Sequence, residues 1–223
     1  MENITLFHGS EKIISRPSLE EGCPFNDFGR GFYCTPESTM AGQWACHRGA
    51  SGFICSYSLD IDDLKIFNLL SGKYSPLNWL ALVLSHRMFR ISSPWENMAV
   101  NYIKNNFMPD TEGFDIIIGM RADDSYFSFA KAFINGKISL EQFKYVMVPG
   151  PSGEQFVLKT EKAFEKLEFK GFEKADSAIY YPRRKIRDLN ALAGYEAEIE
   201  LSQGGLFIGD ILREEIKADD ERL

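Results

Sequence analysis

The sequence predicts an α+β protein, on three observations. Short strand and helix patterns follow one another without the regular strand–helix–strand alternation of a parallel, doubly wound sheet. The hydrophobic period also switches abruptly: Met40, Gln43, Trp44 and His47 recur at helical spacing within Pro36 to His47, whereas Gly52 to Leu59 (GFICSYSL) alternates as a half-buried strand. Finally, 223 residues with 44% hydrophobic and 26% charged side chains can bury one sizeable core and have the composition of a water-soluble globular protein.

Element by element, Ile4 to His8 reads as a short strand that breaks at Gly9-Ser10, and Gly31 to Thr35 as a second one bounded by Gly29 and Pro36. The helical segment and the strand Gly52 to Leu59 follow. Ser75-Pro76 opens a helix with Leu77, Leu80, Ala81, Leu84 and Met88 on one face. Pro94 opens another, with Trp95, Met98, Ala99, Tyr102 and Ile103 facing the core. Phe114 to Met120 (FDIIIGM) is the most apolar strand and runs into Arg121-Ala122-Asp123-Asp124, then into a helix that stops at Asn135-Gly136. Ser139-Leu140-Glu141-Gln142 is a capping box that starts a short helix. Beyond the turn Pro149-Gly150-Pro151-Ser152-Gly153 come a strand, Gln155 to Lys159, a helical turn or two over Glu161 to Lys166, and a last strand, Leu167-Glu168-Phe169. Ala191 to Glu200 has helical character, and Leu206, Phe207, Ile211, Leu212 and Ile216 mark an amphipathic end.

The charge balance narrows the class of partner. With 25 Lys plus Arg against 32 Asp plus Glu, the formal charge is -7, so nothing draws the chain as a whole toward nucleic acid or an anionic membrane. Any anionic ligand must be met locally. Cys23, Cys34, Cys46 and Cys55 lack the C-x-x-C interval of a zinc or redox site and read as reduced thiols, and no metal is expected. The longest apolar run is Trp79 to Leu84, and Met1 to Thr5 has neither a basic flank nor an apolar stretch, so the expectation is a cytoplasmic protein without a membrane span.

Two constellations could carry chemistry. In His8-Gly9-Ser10, at a strand end, an imidazole can donate to a ribose hydroxyl while the glycine admits close approach of a flat amide ligand. In Phe28-Gly29-Arg30-Gly31-Phe32-Tyr33, two glycines frame a tight approach to Tyr33, and Trp44 lies eleven residues further on. Tyr33 and Trp44 could wall a slot for a planar ring, where stacking adds about 0.5–1.5 kcal/mol beyond area burial; packing of the pair in the core is the alternative. Asp123 and Asp124 are carboxylates that could face a cleft or could cap the following helix. The basic cluster Arg183-Arg184-Lys185 with Arg187 reads first as a solvated surface, and second as a site for pyrophosphate or nucleic acid. His47 and His86 have no partner at metal-ligand spacing and read as structural.

Taken in order, LFHGS, FGRGFYCT, Trp44 and GEQFVLK resemble the ADP-ribosyltransferase superfamily, in the branch shared by poly(ADP-ribose) polymerases and diphtheria toxin, which reads His, Tyr, Glu on successive strands. The chain as a whole, including ADDSYF and QFVLKTEKAF, is most similar to a bacterial family, domain of unknown function 3990. The resemblance covers roughly residues 4 to 170. It implies an ADP-ribosyltransferase-like domain over residues 1–170, with two small bent sheets around an NAD cleft and flanking helices, and a C-terminal extension over 171–223 that packs on the domain or on a second subunit.

The resemblance further implies that NAD is the substrate. His8 would hold the adenosine-side ribose with Ser10 nearby, the Gly9 backbone would meet the nicotinamide carboxamide, and Tyr33 and Trp44 would sandwich the ring. The branch often carries a serine eight residues after the tyrosine, where this chain has Ala41, and the strand that should begin with the catalytic glutamate begins with Gln155, preceded by Glu154. An amide keeps a hydrogen bond but loses the charge that stabilises a developing ribose cation. The implied function is mono-ADP-ribosyl transfer from NAD to a macromolecular acceptor, with Gln155, His8 and Tyr33 as the catalytic set. By analogy with toxins of this kind, an antitoxin protein would be a partner. The competing readings are a module that binds NAD or a protein partner without turnover, and a non-enzymatic globular protein.

Overall fold

The computed structural model describes residues 3–46, 49–122, 124–147, 153–201 and 204–223. In chain order its strands are β1 (Asn3–Ser10), β2 (Phe32–Cys34), β3 (Gly52–Asp60), β4 (Ile66–Asn68), β5 (Ile116–Met120), β6 (Glu154–Leu158) and β7 (Leu167–Ala175). Its helices are α1 (Ser38–Ala45), α2 (Pro76–His86), α3 (Pro94–Phe107), α4 (Asp124–Ile134), α5 (Leu140–Val146), α6 (Glu161–Glu165), α7 (Ser177–Leu201) and α8 (Ile208–Arg213). The chain is therefore mixed α and β with two small sheets. One has the order β1-β3-β7 and the other β2-β6-β5-β4.

The apolar run IIIGM makes β5 a strand buried on both faces, as its composition requires. It pairs antiparallel with β6 and parallel with β4. One face meets the main core, where Leu77, Leu80, Ile103, Phe133 and Phe143 from the surrounding helices are fully buried. The other meets a smaller core of Leu6, Cys55, Tyr57 and Leu59 from the three-stranded sheet. Helix starts follow the sequence signals: Ser75 and Ser139 close capping boxes, and Ser93 accepts from the Glu96 amide.

The sheets are joined through β1 and β2. Phe7 and Thr35 exchange both backbone hydrogen bonds, N–H to O distances being 2.8 and 2.9 Å, as an isolated antiparallel bridge. One residue on, the contact between the sheets is made by a side chain, with His8 Nδ1 2.7 Å from the Tyr33 carbonyl oxygen. Helix α1 seals the same seam. A Cβ on Gly9 would lie 1.7 Å from the Ala41 carbonyl oxygen, so β1 and α1 can touch only because position 9 has no side chain.

Several expectations are corrected. Trp95 and Met98 are 38% and 49% exposed, and the inward face of α3 instead carries Glu96, Ala99, Val100, Ile103 and Phe107. Glu96 is tolerated there because its carboxylate accepts from Ser92 N, Ser92 Oγ and Asn135 Nδ2. Met88 falls beyond α2 and is exposed. The short strand β4 was not expected, since three residues carry too little periodicity to read. The last strand continues past Phe169 to Ala175, through a register shift between Ser56 and Tyr57 at which Gly171 takes a positive φ. The basic cluster and the segment after it form one helix, α7, with Pro182 inside it.

Residue 170 lies within β7. Beyond it, α7 packs on α1 and α5, while Ile208, Ile211 and Ile216 are buried in the main core. Among the described residues, no helix is long and apolar enough to cross a membrane. Cys34, Cys46 and Cys55 are buried free thiols, and Cys23 is an exposed one. His47 and the turn from Pro149 to Ser152 lie outside the described residues.

Candidate active site

Where the C-terminal end of β5 and the start of β6 approach the loop before β2, a pocket of about 330 Å³ opens. Tyr33, Trp44 and Gln155 line it together with Asp27, Arg121 and Arg184, and Arg87 completes the wall.

The loop that delivers Asp27 is built by its own sequence. Gly29 has a φ of 75°, which only glycine takes at no steric cost, and its amide closes a turn on the Asn26 carbonyl at 2.9 Å. The Tyr33 hydroxyl then pins the loop from below, accepting from Phe28 N at 3.0 Å and donating to Gly29 O at 2.7 Å. Burial pushes the Tyr33 phenol well above its ordinary pKa, so it stays protonated and keeps this donor. Lys159 donates to the carbonyls of Phe28 and Arg30 at 2.6 and 2.5 Å, and burial lowers its ammonium to about 8.

Asp27 is 8% exposed. Its Oδ2 accepts from Ala122 N at 2.8 Å and from Gln155 Nε2 at 3.0 Å, and its Oδ1 lies 3.3 Å from Arg87. Desolvation raises its pKa against the pull of these partners. Gln155 is buried and also donates to the Met120 carbonyl at 3.3 Å, while Glu154 falls on the opposite face of β6. Arg87 further donates to the Ala122 carbonyl and stacks on Phe127, with 4.9 Å to the ring centroid. Arg121 stands 5.9 Å from the Trp44 ring centroid. In a chain of net charge -7, the charged side chains lining this pocket are three arginines and one carboxylate, with Asp188 3.9 Å from Arg184.

The remaining candidates lie on two cavities that share walls with this pocket. His8 and Tyr33 line one of about 260 Å³, and Gly9, Ser10 and Trp44 line one of about 610 Å³. His8 differs from expectation in its polarity. Burial lowers its pKa, so the ring is neutral at pH 7, and a nitrogen facing a carbonyl must carry the proton. Nε2 is left as an acceptor, able to take a hydrogen bond from a ribose hydroxyl but not to give one. Gly9 also differs, since the space its missing Cβ leaves is filled by α1.

Arg184 corrects the solvated reading of the basic cluster by lining the pocket. Arg187 anchors α7 on α1 by donating to Gln43 Oε1. His86 is half-buried against Gly29. Asp123 and the side chain of Asp124 lie outside the described residues. Among the described residues, no group of three or more His, Cys, Asp or Glu is placed to hold a metal ion. Asp27 was missed by sequence reasoning, although it stands in FNDFGRG, two residues before Gly29.

Fold and site together define a mixed α and β protein with two small sheets and an arginine-lined, aromatic-walled pocket around a buried carboxylate. The chain belongs to the family described as Protein of unknown function (DUF3990), which matches residues 4–169. No curated protein and no solved structure matches it.

Proposed function

We propose that the chain is an NAD-dependent mono-ADP-ribosyltransferase of bacterial type, acting on a macromolecular acceptor. The observation that carries this reading is the convergence of Tyr33, Trp44 and Gln155, drawn from three separate stretches of sequence, on one pocket with three arginines. Aromatic walls suit a nicotinamide ring, and guanidinium groups suit a pyrophosphate. The first pocket is at the small end for a whole ligand, and its shared walls with the two neighbouring cavities give a dinucleotide room to extend. Two small sheets joined at the Phe7–Thr35 bridge, with polar groups gathered beside the seam, support an ADP-ribosyltransferase-like architecture.

In the proposed reaction the bond between ribose C1′ and the nicotinamide nitrogen breaks, and its electron pair leaves with neutral nicotinamide. An acceptor lone pair forms the new bond at C1′, and the acceptor's proton is released. Positive charge builds on the ribose in between, so groups that place negative charge or acceptor oxygens there stabilise the transition state more than the ground state. Tyr33 and Trp44 hold the ring, the arginines hold the phosphates, and His8 accepts from a ribose hydroxyl. A transferase acting inside its own cell would call for a neutralising protein partner.

Calorimetric titration with NAD and a nicotinamide-release assay test this directly. Saturable binding and release are expected, with Trp44→Ala weakening binding by about 1–3 kcal/mol through lost stacking and burial. A folded wild-type protein that does not bind NAD removes the reading. Binding without release favours the second reading, a non-catalytic NAD-binding module, for which the amide of Gln155 in place of a carboxylate is the specific support.

A further inference from the structure

We infer that Asp27 and Gln155 act as one unit, in which the carboxylate fixes and polarises the amide so that Gln155 Oε1 is the acceptor offered to the bound ligand. The inference rests on the NAD reading and gives it the negative charge that the sequence lacks at position 155.

A primary amide has two N–H donors and one carbonyl oxygen. Gln155 Nε2 donates to Asp27 Oδ2 at 3.0 Å and to the Met120 carbonyl at 3.3 Å, so both donors are engaged. The reverse orientation would set Oε1 against a carboxylate and a carbonyl, two acceptors that cannot satisfy it. The network therefore selects one orientation and leaves Oε1 to receive a hydrogen bond, the part a carboxylate oxygen would play toward a ribose hydroxyl.

Asp27 is itself held from three directions, by Ala122 N after β5, by Arg87 after α2 and by Gln155 on β6. It does not need to move for the unit to work. A carboxylate in a dry site polarises its hydrogen-bond partner more than one in water, and the amide passes part of that negative charge to Oε1. Arg87 and Arg121 are the cations facing Asp27 and Tyr33 the neighbouring phenol; Arg87 also divides its donors with the Ala122 carbonyl. Asp27 is thus a positioning residue acting through Gln155. No bond is made to it and no proton leaves it.

The test compares the full-length wild type with Asp27→Asn, Gln155→Glu and the double variant, using NAD as the probe. Asp27→Asn keeps the shape and removes the charge, and should lower kcat for nicotinamide release about 10²–10³-fold with little change in KM. Gln155→Glu alone should also be slow, because it sets two carboxylates at hydrogen-bond distance and loses the donor. The double variant should be no slower than the slower single variant, since Asp27 acts only through Gln155 and has nothing left to orient once that amide is gone. Additive losses in the double variant overturn the unit.

A second readout needs no NAD. The Gln155 side-chain amide resonances should titrate with Asp27 in the wild type and lose that titration in Asp27→Asn; amide signals insensitive to pH in the wild type overturn the coupling. Wild-type protein without NAD turnover would defeat the transferase reading together with this role. Normal wild-type turnover left undiminished by Asp27→Asn would defeat this inference alone.

Discussion

The two sheets differ in how dry they are, and the candidate site follows the difference. β5, in the four-stranded sheet, is buried along its whole length between the main core and the smaller one. β7, at the edge of the three-stranded sheet, alternates inward and outward and leaves Phe172 56% exposed. Asp27, Arg121 and Gln155 gather at the end of the dry sheet, where the low dielectric makes each charge and hydrogen bond count for more. The wetter sheet contributes His8, Gly9 and Ser10, which are neutral and serve the seam as much as any ligand.

The largest expected effect separates the dry region from what covers it. Ending the chain at Lys170 removes half of β7 and uncovers the main core at Ile208, Ile211 and Ile216. Truncating one buried isoleucine to alanine typically costs about 2–5 kcal/mol, so losing three together rivals the whole stability of an ordinary domain, about 5–15 kcal/mol. No cooperative thermal transition is expected by circular dichroism. A sharp transition near that of the full chain would show that the dry core does not depend on its C-terminal cover.

A smaller effect probes the seam. Gly9→Ala would drive a Cβ to 1.7 Å from the Ala41 carbonyl oxygen and 2.9 Å from Ala45 N, both backbone atoms of α1 that cannot rotate aside. A loss of about 3 kcal/mol is expected in urea denaturation. A loss under about 1 kcal/mol would mean that α1 is not seated against β1 in this way.

The smallest effect sharpens the contrast in dielectric. Desolvation raises the Asp27 pKa above the ordinary 3.8, so between 3.8 and that raised value the folded protein binds more protons than the unfolded chain. Its contribution to stability is fully present below pH 3.8 and is lost as pH rises through the folded pKa. The difference in unfolding free energy between wild type and Asp27→Asn should therefore shift against the wild type across that window and be flat above it. A shift in the opposite direction would place Asp27 in a site where its ion pair outweighs burial.

Much of the site was legible because its residues stand in short punctuated motifs. Two glycines precede Tyr33, Trp44 follows at a helical position, and Gln155 is the second residue of a strand that starts after a glycine. Asp27 was not, since a loop aspartate next to asparagine looks like ordinary turn chemistry until the fold brings Gln155 and Ala122 to it. The arginines were hidden for another reason. Arg87, Arg121 and Arg184 belong to segments far apart in sequence, and only the packing of α2, β5 and α7 makes them neighbours. In α3 the pattern misled because Trp95 uses its indole N–H on the Ile134 carbonyl at 2.9 Å while half exposed, and buried Glu96 takes the inward place.

The central claim is that the pocket holding Asp27 and Gln155 is where NAD is cleaved, and a crystal structure of the protein at saturating NAD tests it most directly. The expected result has the nicotinamide ring against Tyr33 and Trp44, a hydroxyl of its ribose within hydrogen-bond reach of Gln155 Oε1, and the pyrophosphate among the arginines. NAD bound away from Gln155, or a pocket without NAD at a concentration that saturates binding in solution, would contradict it.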